Sequence, residues 1–159
     1  MRSVLKMAVE APISRFKKNN IKVYIFFCIA IAIWCAYDGY FNDKWIAEHK
    51  NPDGTPQPYL TFNRNAPPFF AGATVLLAGY LFTVRNKKII AEENELVLGN
   101  KERISYDSIQ KIDKTNLQKK GCFVITYKNE KGKEVRRKFS DRTYDNLPAV
   151  LDKLVAEIS

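Results

Sequence analysis

The chain has 159 residues, a formal net charge of +9 and 46% hydrophobic residues. This length allows one soluble domain, or a smaller domain with membrane segments. The apolar residues gather in two uncharged runs, and a soluble protein of this size could not bury two such helices on all sides. The three cysteines show neither an obvious disulfide partner nor the spacing of metal ligands.

The first predicted membrane helix covers residues 21–41 and follows a basic segment, residues 1–20. Its central stretch Val23–Tyr37 carries no charge, and the whole run would span about 30 Å as a helix, which matches a bilayer core. A buried helix of a soluble protein and a cleavable signal peptide are the alternatives. The bulky sequence Asp38-Gly39-Tyr40-Phe41 argues against signal-peptide cleavage.

A second membrane helix is predicted at residues 68–85, after a connection formed by residues 42–67 that is rich in turn-forming residues. Its uncharged part, Phe69–Val84, spans about 24 Å on the same arithmetic. Pro67 and Pro68 fit the start of a helix, and the basic residues after Val84 can anchor its end.

Lysine and arginine placement predicts the orientation of these helices. The chain up to and including Lys22, at the start of the first helix, carries a net +5. The chain from Arg85 onward also carries a net +5, and the connection between the helices is neutral. Because basic residues favour the cytoplasmic side, we expect both termini in the cytoplasm and the connection outside.

Small side chains form a stripe on each predicted membrane helix and predict an antiparallel hairpin in which the two stripes pack together. The stripes consist of Cys28, Ala32, Cys35, Ala36 and Gly39 on the first helix, and Ala71, Gly72, Ala78 and Gly79 on the second. A helix of a partner subunit using one stripe is the alternative. Asp38, the only acid within either run, is interpreted as a solvated helix-end residue rather than a proton relay.

Short strands and tight turns follow in residues 88–159, closed by a C-terminal amphipathic helix. Roughly six strands and one helix predict a small α+β domain with a strongly bent sheet. The stretch ISYDSIQKI, residues 104–112, places Tyr106 and Asp107 in a turn between two apolar runs. We interpret this turn as a corner of the sheet rather than an active site.

This pattern, LVLGNKERISYDSIQKI followed by a long hairpin and one helix after a two-helix membrane hairpin, resembles bacterial membrane proteins with a pleckstrin-homology-like (PH-like) domain. The resemblance implies a bent, barrel-like sheet plugged by the final helix, and a binding or scaffolding role at the bacterial inner membrane. It does not transfer phosphoinositide binding. Arg137 lies between Val135 and Phe139 on the expected inner face, which leaves the register of that strand open.

The predicted domain has no histidine, one cysteine, no glycine-rich phosphate loop and no paired carboxylates, so we expect no enzyme activity, no cofactor and no metal. Basic residues give the stronger signal for partner or lipid binding. The candidates are Lys17, Lys18, Lys119, Lys120, Arg136, Arg137 and Lys138. The alternative is that these cations only mark the cytoplasmic side and solvate a strand face. Nucleic acid is not expected as a partner, because no aromatic platform accompanies the charge.

Two functions are consistent with these features. In the first, a non-catalytic membrane-anchored module binds a protein in the membrane or cytoplasm, as an accessory subunit or assembly factor of a membrane complex. In the second, the domain senses anionic lipid headgroups at the cytoplasmic leaflet. We favour the first, because anchoring by two helices in the lipid bilayer makes lipid affinity redundant for localisation.

Overall fold

The computed structural model describes residues 8–99 and 102–158. The chain forms two compact units. A helical unit covers Asn19–Phe82, and a sheet unit combines the chain before it with Thr83–Ser159. The prediction of an α+β chain with two long apolar helices is confirmed.

The helical unit contains two long helices, α1 (Arg15–Ala36) and α3 (Pro58–Val84), whose lengths of about 33 and 40 Å exceed a bilayer core. A π-helical turn (Tyr37–Phe41) extends α1, and a short helix α2 (Asp43–Glu48) follows it. Only 11% and 6% of the most apolar windows of these helices are buried in the protein. Both helices are therefore long and apolar enough to cross a membrane.

Helix α3 begins ten residues before the predicted start at residue 68, so that Pro67 and Pro68 lie inside it. A proline in a helix leaves the carbonyl four residues earlier without its usual donor. Here the freed carbonyl of Arg64 accepts a hydrogen bond from Tyr40 Oη at 3.0 Å. The freed carbonyl of Asn63 lies against Gly39, where an added Cβ would be 3.0 Å from that oxygen. Tyr40 thus replaces the donor that Pro68 removes, and Gly39 allows the backbone to approach closely at the carbonyl that Pro67 frees.

The polar groups at this end of the helical unit satisfy one another. Arg64 Nε donates to the carbonyl oxygen of Gly39 at 2.9 Å. The Asp38 carboxylate accepts hydrogen bonds from Trp34 Nε1 at 2.7 Å and Asn42 Nδ2 at 2.9 Å. Asp38 is therefore a structural hydrogen-bond acceptor at the end of α1, in line with its interpretation as a helix-end residue.

The sheet unit contains two antiparallel sheets and a C-terminal helix. The first sheet has the order β1-β2-β3-β4, and the second has the order β5-β6-β7. The strands are β1 (Val9–Pro12), β2 (Lys88–Ala91), β3 (Glu95–Leu98), β4 (Glu102–Ser105), β5 (Ile109–Asp113), β6 (Cys122–Lys128) and β7 (Glu134–Ser140). A four-residue helix α4 (Leu117–Lys120) precedes β6, and α5 (Leu147–Ile158) ends the described chain.

Strand β1 corrects the predicted organisation, which placed residues 1–20 in a separate basic segment and began the domain at residue 88. It pairs with β2 from Val9↔Ala91 to Pro12↔Lys88. Ala11 is fully buried in the core, and Ile13 is 2% exposed. A four-residue strand of mixed polarity is too short to show a recognisable period in the sequence. Its formation depends instead on pairing with residues nearly 80 positions away.

The core of the sheet unit lies between the two sheets and α5, which packs on β1 and β2. The predicted apolar face of α5 supplies four buried side chains, at Leu147, Val150, Leu151 and Leu154. The rings of Phe123 on β6 and Phe139 on β7 contact each other at a centroid distance of 5.3 Å, with their planes tilted by 33°. This burial is the main stabilising contribution to the unit.

Tyr106 lies in a 3₁₀ turn, Tyr106–Ser108, between β4 and β5, where the chain passes from one sheet to the other. Its ring is only 7% exposed, and its hydroxyl donates to the Glu92 carbonyl at 2.8 Å. Burial, with smaller contributions from nearby glutamates, raises the pKa of Tyr106 to about 12. The tyrosine is therefore a packed part of the corner between the sheets.

Candidate functional site

The start of α1 is fixed to the connection between β7 and α5 by Ser14, which is 1% exposed. The Ser14 hydroxyl donates to the Arg142 carbonyl at 2.6 Å and accepts the amide of Lys17 at 3.1 Å. The backbone amide of Ser14 donates to the Thr143 carbonyl at 2.9 Å. Ser14 is therefore both the N-cap of α1 and a cross-link within the sheet unit.

A cleft of about 490 Å³ opens beside this junction. We call it the basic cleft. Its lining includes Phe16 from α1, Leu117, Lys119 and Lys120 from α4, and Asp141 and Arg142 from the turn after β7. Three separate parts of the sequence thus meet at one site.

Positive charge dominates the basic cleft. Three cations, Lys119, Lys120 and Arg142, line it together with one acid, Asp141. The ion pairs found within residues 8–99 and 102–158 join other side chains and include none of these four. The ring of Phe16 is 57% exposed, so the cleft combines an unshielded net positive charge with an open aromatic surface.

The backbone at the base of the cleft requires glycine at position 121. Gly121 ends α4 with φ of 58°, in the left-handed region, and its amide donates to the Leu117 carbonyl at 2.9 Å. An added Cβ would lie 1.8 Å from Asp141 Oδ2. The Asp141 amide donates to the Gly121 carbonyl at 2.9 Å, which holds the two segments in contact.

The structure separates the seven predicted binding residues. Lys119 and Lys120 line the basic cleft, and Lys17 and Lys18 belong to the first turn of α1, next to Phe16. Arg136 and Lys138 are exposed on β7, on the opposite face from the core residue Phe139. These two cations do not line the basic cleft.

Arg137 differs from Arg136 and Lys138 because it lies on the same face of β7 as the core residue Phe139, although its side chain is 42% exposed. Its guanidinium contacts the Glu102 carboxylate at 2.5 and 2.6 Å. Tyr127 Oη also donates to Glu102 at 3.1 Å, and burial followed by this bond raises the pKa of Tyr127. Arg137 therefore bridges the two sheets through an ion pair whose side chains are each 42% exposed, and it does not line the basic cleft.

The aromatic residue and the arginine of the basic cleft, Phe16 and Arg142, were not among the predicted binding residues. Phe16 is an isolated aromatic residue among the cations of the sequence SRFKK, immediately before the apolar run. That context was an available signal for an interfacial residue. Arg142 gave no local signal, since its position beside α4 depends on the pairing of β6 with β7.

The two predicted small-residue stripes have different surroundings. Cys35 and Gly39 are buried, and Cys28, Ala32 and Ala36 are half-buried, so this stripe faces inward. The residues Ala71, Gly72, Ala78 and Gly79 are exposed, and a Cβ added at either glycine would meet nothing within 4 Å. Their predicted packing against the first helix is therefore wrong for this chain: α3 presents the adjoining face, with Ala66 buried.

A larger cleft, about 890 Å³, lies between β4 and the turn joining β6 to β7. Its charged lining balances three acids against three cations, so it has no strong preference for one sign of ligand charge; these residues are Glu95, Glu102, Glu130, Arg103, Lys128 and Lys131. Arg103 forms an ion pair with Glu95 at the same edge. We therefore regard the basic cleft as the better candidate site.

Metal-binding side chains are not clustered in the described part of the chain, where no three of histidine, cysteine, aspartate and glutamate lie together as a possible metal site. Comparisons of this chain with protein-family models, curated proteins and solved structures found no match.

Proposed function

We propose that this protein is a membrane-anchored, non-catalytic binding module of a bacterial inner membrane. Its two long helices form a hairpin in the bilayer, with both termini on the cytoplasmic side. Its sheet unit is a PH-like domain that serves as an accessory subunit or assembly factor of a membrane complex. The observation that carries this proposal is the chain order: the residues of the helical unit are inserted in the sequence between β1 and β2, two strands that pair with each other.

The connections between the helices and the sheet are short. Only Ile13 and Ser14 separate β1 from α1, and only residues 85–87 separate α3 from β2. Pro12 pairs with Lys88, and the Ile13 amide donates to the Lys87 carbonyl at 3.1 Å, so both connections leave from adjacent strands. Since three extended residues reach about 10 Å at most, the domain would be held close to the bilayer surface.

The arrangement of the sheet unit supports the PH-like assignment. Two antiparallel sheets enclose an apolar core, and the C-terminal helix packs against it. The resemblance implies a bent sheet closed by a final helix, and the packing of the C-terminal helix on β1 and β2 supports the proposal of such an arrangement. Such a unit, anchored at two adjacent points, is suited to present a fixed surface to a partner in the same membrane.

Topology is tested by cysteine labelling in intact cells. In a chain whose native cysteines are replaced by alanine, Gly54→Cys should react with a membrane-impermeant maleimide, because Gly54 lies in the exposed connection before α3. The matched control is Lys131→Cys, in the exposed turn between β6 and β7, which should react only after permeabilisation. Labelling of the control alone in intact cells would refute the orientation.

The subunit role is tested by extracting the tagged full chain from native membranes in a mild detergent. We expect the same membrane proteins to co-purify in stoichiometric amounts and to be absent from an extract of untagged cells. Recovery of the chain as a lone monomer after chemical cross-linking in the membrane would contradict this role. An anionic-lipid sensor is the second candidate, and the charge of the basic cleft favours it.

A further inference from the structure

We propose that the basic cleft binds the phosphate headgroup of an anionic phospholipid in the leaflet next to the domain. This inference rests on the proposed membrane anchorage of the helices. It assigns a lipid to one cleft, formed by α4, the turn after β7 and the first turn of α1.

Charge is the first reason for an anionic ligand. Lys119 and Lys120 project from a four-residue helix, and Arg142 faces the same cleft from the turn after β7. Arginine can donate two parallel hydrogen bonds to a phosphate, and lysine provides a compact positive charge. The single acid of the lining, Asp141, leaves an excess of two positive charges.

The exposed ring of Phe16 indicates a lipid rather than a soluble anion. A free phosphate or an acidic peptide gains little from a 57% exposed phenyl ring beside three cations. A phospholipid presents charge and hydrocarbon next to each other, which matches this combination. Phe16 also precedes the apolar run beginning at Ile21 by five residues, about 8 Å along a helix. That spacing suits a ring at the boundary between headgroups and acyl chains.

The cleft is also held in shape before any ligand binds. Ser14 ties the first turn of α1 to the turn that carries Arg142. The bond from the Asp141 amide to the Gly121 carbonyl ties that turn to the end of α4. A site whose parts are already fixed loses little conformational entropy on binding.

The test uses the full chain, because a fragment beginning at Lys88 would lack β1. Purified protein in a neutral detergent is titrated with phosphatidylglycerol or with phosphatidylcholine, and bound lipid is counted by native mass spectrometry. We expect tighter binding of phosphatidylglycerol. The variant Lys119→Gln/Lys120→Gln should weaken it about 30-fold, since each cation near an anionic headgroup is worth about a factor of five.

The matched control is Lys131→Gln/Lys133→Gln, which removes the same charge from the turn at the far end of β6. That turn lies about 23 Å from α4 along the seven-residue strand. The control should change affinity less than twofold. Equal weakening by both variants would show a general charge effect and would overturn the proposal.

Further measurements separate the remaining possibilities. Arg142→Gln should also weaken binding, while the backbone carbonyl that holds Ser14 is retained. If glycerol phosphate displaces the lipid when both are at the same concentration, the ligand of the cleft is a soluble anion. If Lys119→Gln/Lys120→Gln loses a co-purifying protein but binds lipid as the wild type does, the cleft is a protein-binding site. Either result overturns the lipid assignment. Release of the wild-type chain from membranes by alkaline carbonate would instead refute the anchorage itself.

Discussion

Ile13 provides a sharp test of the strand contributed by the N-terminal segment. The side chain is 2% exposed, and it lies in a region that the sequence pattern assigned to a separate basic segment. If that segment were outside the domain, Ile13→Ala would have no effect. Because the side chain is buried in the sheet unit, the substitution should lower the free energy of unfolding by about 3 kcal/mol, from lost burial and a cavity.

Hydrogen exchange followed by mass spectrometry can measure this loss in the full chain. Strand β6 lies in the centre of its sheet, so its slowest amides exchange through global opening of the sheet unit. A loss of about 3 kcal/mol should speed their exchange about 150-fold. Ile158→Ala is the control, because Ile158 is 40% exposed and should change the rate severalfold at most. Identical exchange in the two variants would refute the placement of Ile13 in the domain.

Three further predictions concern the sheet unit. Ser14→Ala should cost about 2 kcal/mol in thermal unfolding, because it removes a helix cap and the partly buried hydrogen bond to the Arg142 carbonyl; an unchanged melting temperature would contradict this. Gly121→Ala should lower the denaturant midpoint more than Gly132→Ala does. Both glycines have positive φ, but only a Cβ at position 121 would meet Asp141. In an Asp141→Ala background the two substitutions should therefore lower the midpoint equally. Burial favours the protonated hydroxyl of Tyr106, so its pKa rises from 10 in the unfolded chain to about 12 in the folded one. The resulting contribution to the free energy of unfolding is complete below pH 10 and should be lost as the pH rises towards about 12. Stability measured across that range should therefore fall more steeply in wild type than in Tyr106→Phe, and parallel curves would argue against the burial of the hydroxyl.

The sequence pattern located most of the sheet unit correctly because its signals are local. Strands β2 to β7 each combine short apolar runs with flanking turns, and the apolar face of α5 repeats at helical spacing. The turn around Tyr106 was correctly interpreted as a corner, since a tyrosine and small polar residues between two strands fit a tight turn. The partial alternation of apolar and polar residues on β7 also indicated that Arg137 shares a strand face with Val135 and Phe139.

The same local reasoning was insufficient where a partner decides the outcome. The two prolines were expected to begin a helix, yet they lie inside α3 because Tyr40 supplies a donor to one freed carbonyl and Gly39 allows a close approach at the other. The small residues of α3 were expected to face α1, although small side chains alone do not specify which face packs. Each difference depends on a residue from another segment.

The candidate site shows the same division. The basic residues of α4 and of the first turn of α1 were recognised as binding candidates from charge alone. Their relation to Arg142 and Phe16 was not recognisable, since it requires β6 and β7 to pair and β1 to bring α1 to the turn after β7. Charge alone also did not show that Arg137 forms an ion pair with Glu102 of the other sheet, away from the basic cleft.

By itself, the sequence determined the uncharged lengths of the two long helices, the excess of positive charge at both ends of the chain, and the order of six strands and a final helix. These features follow from composition and periodicity within short windows. Only the tertiary structure decided that β1 pairs with β2, from which the helical unit separates it in sequence, and that three distant segments form the basic cleft. The physical reason is that strand pairing and side-chain burial join residues through space, so their energies depend on contacts that no local pattern encodes.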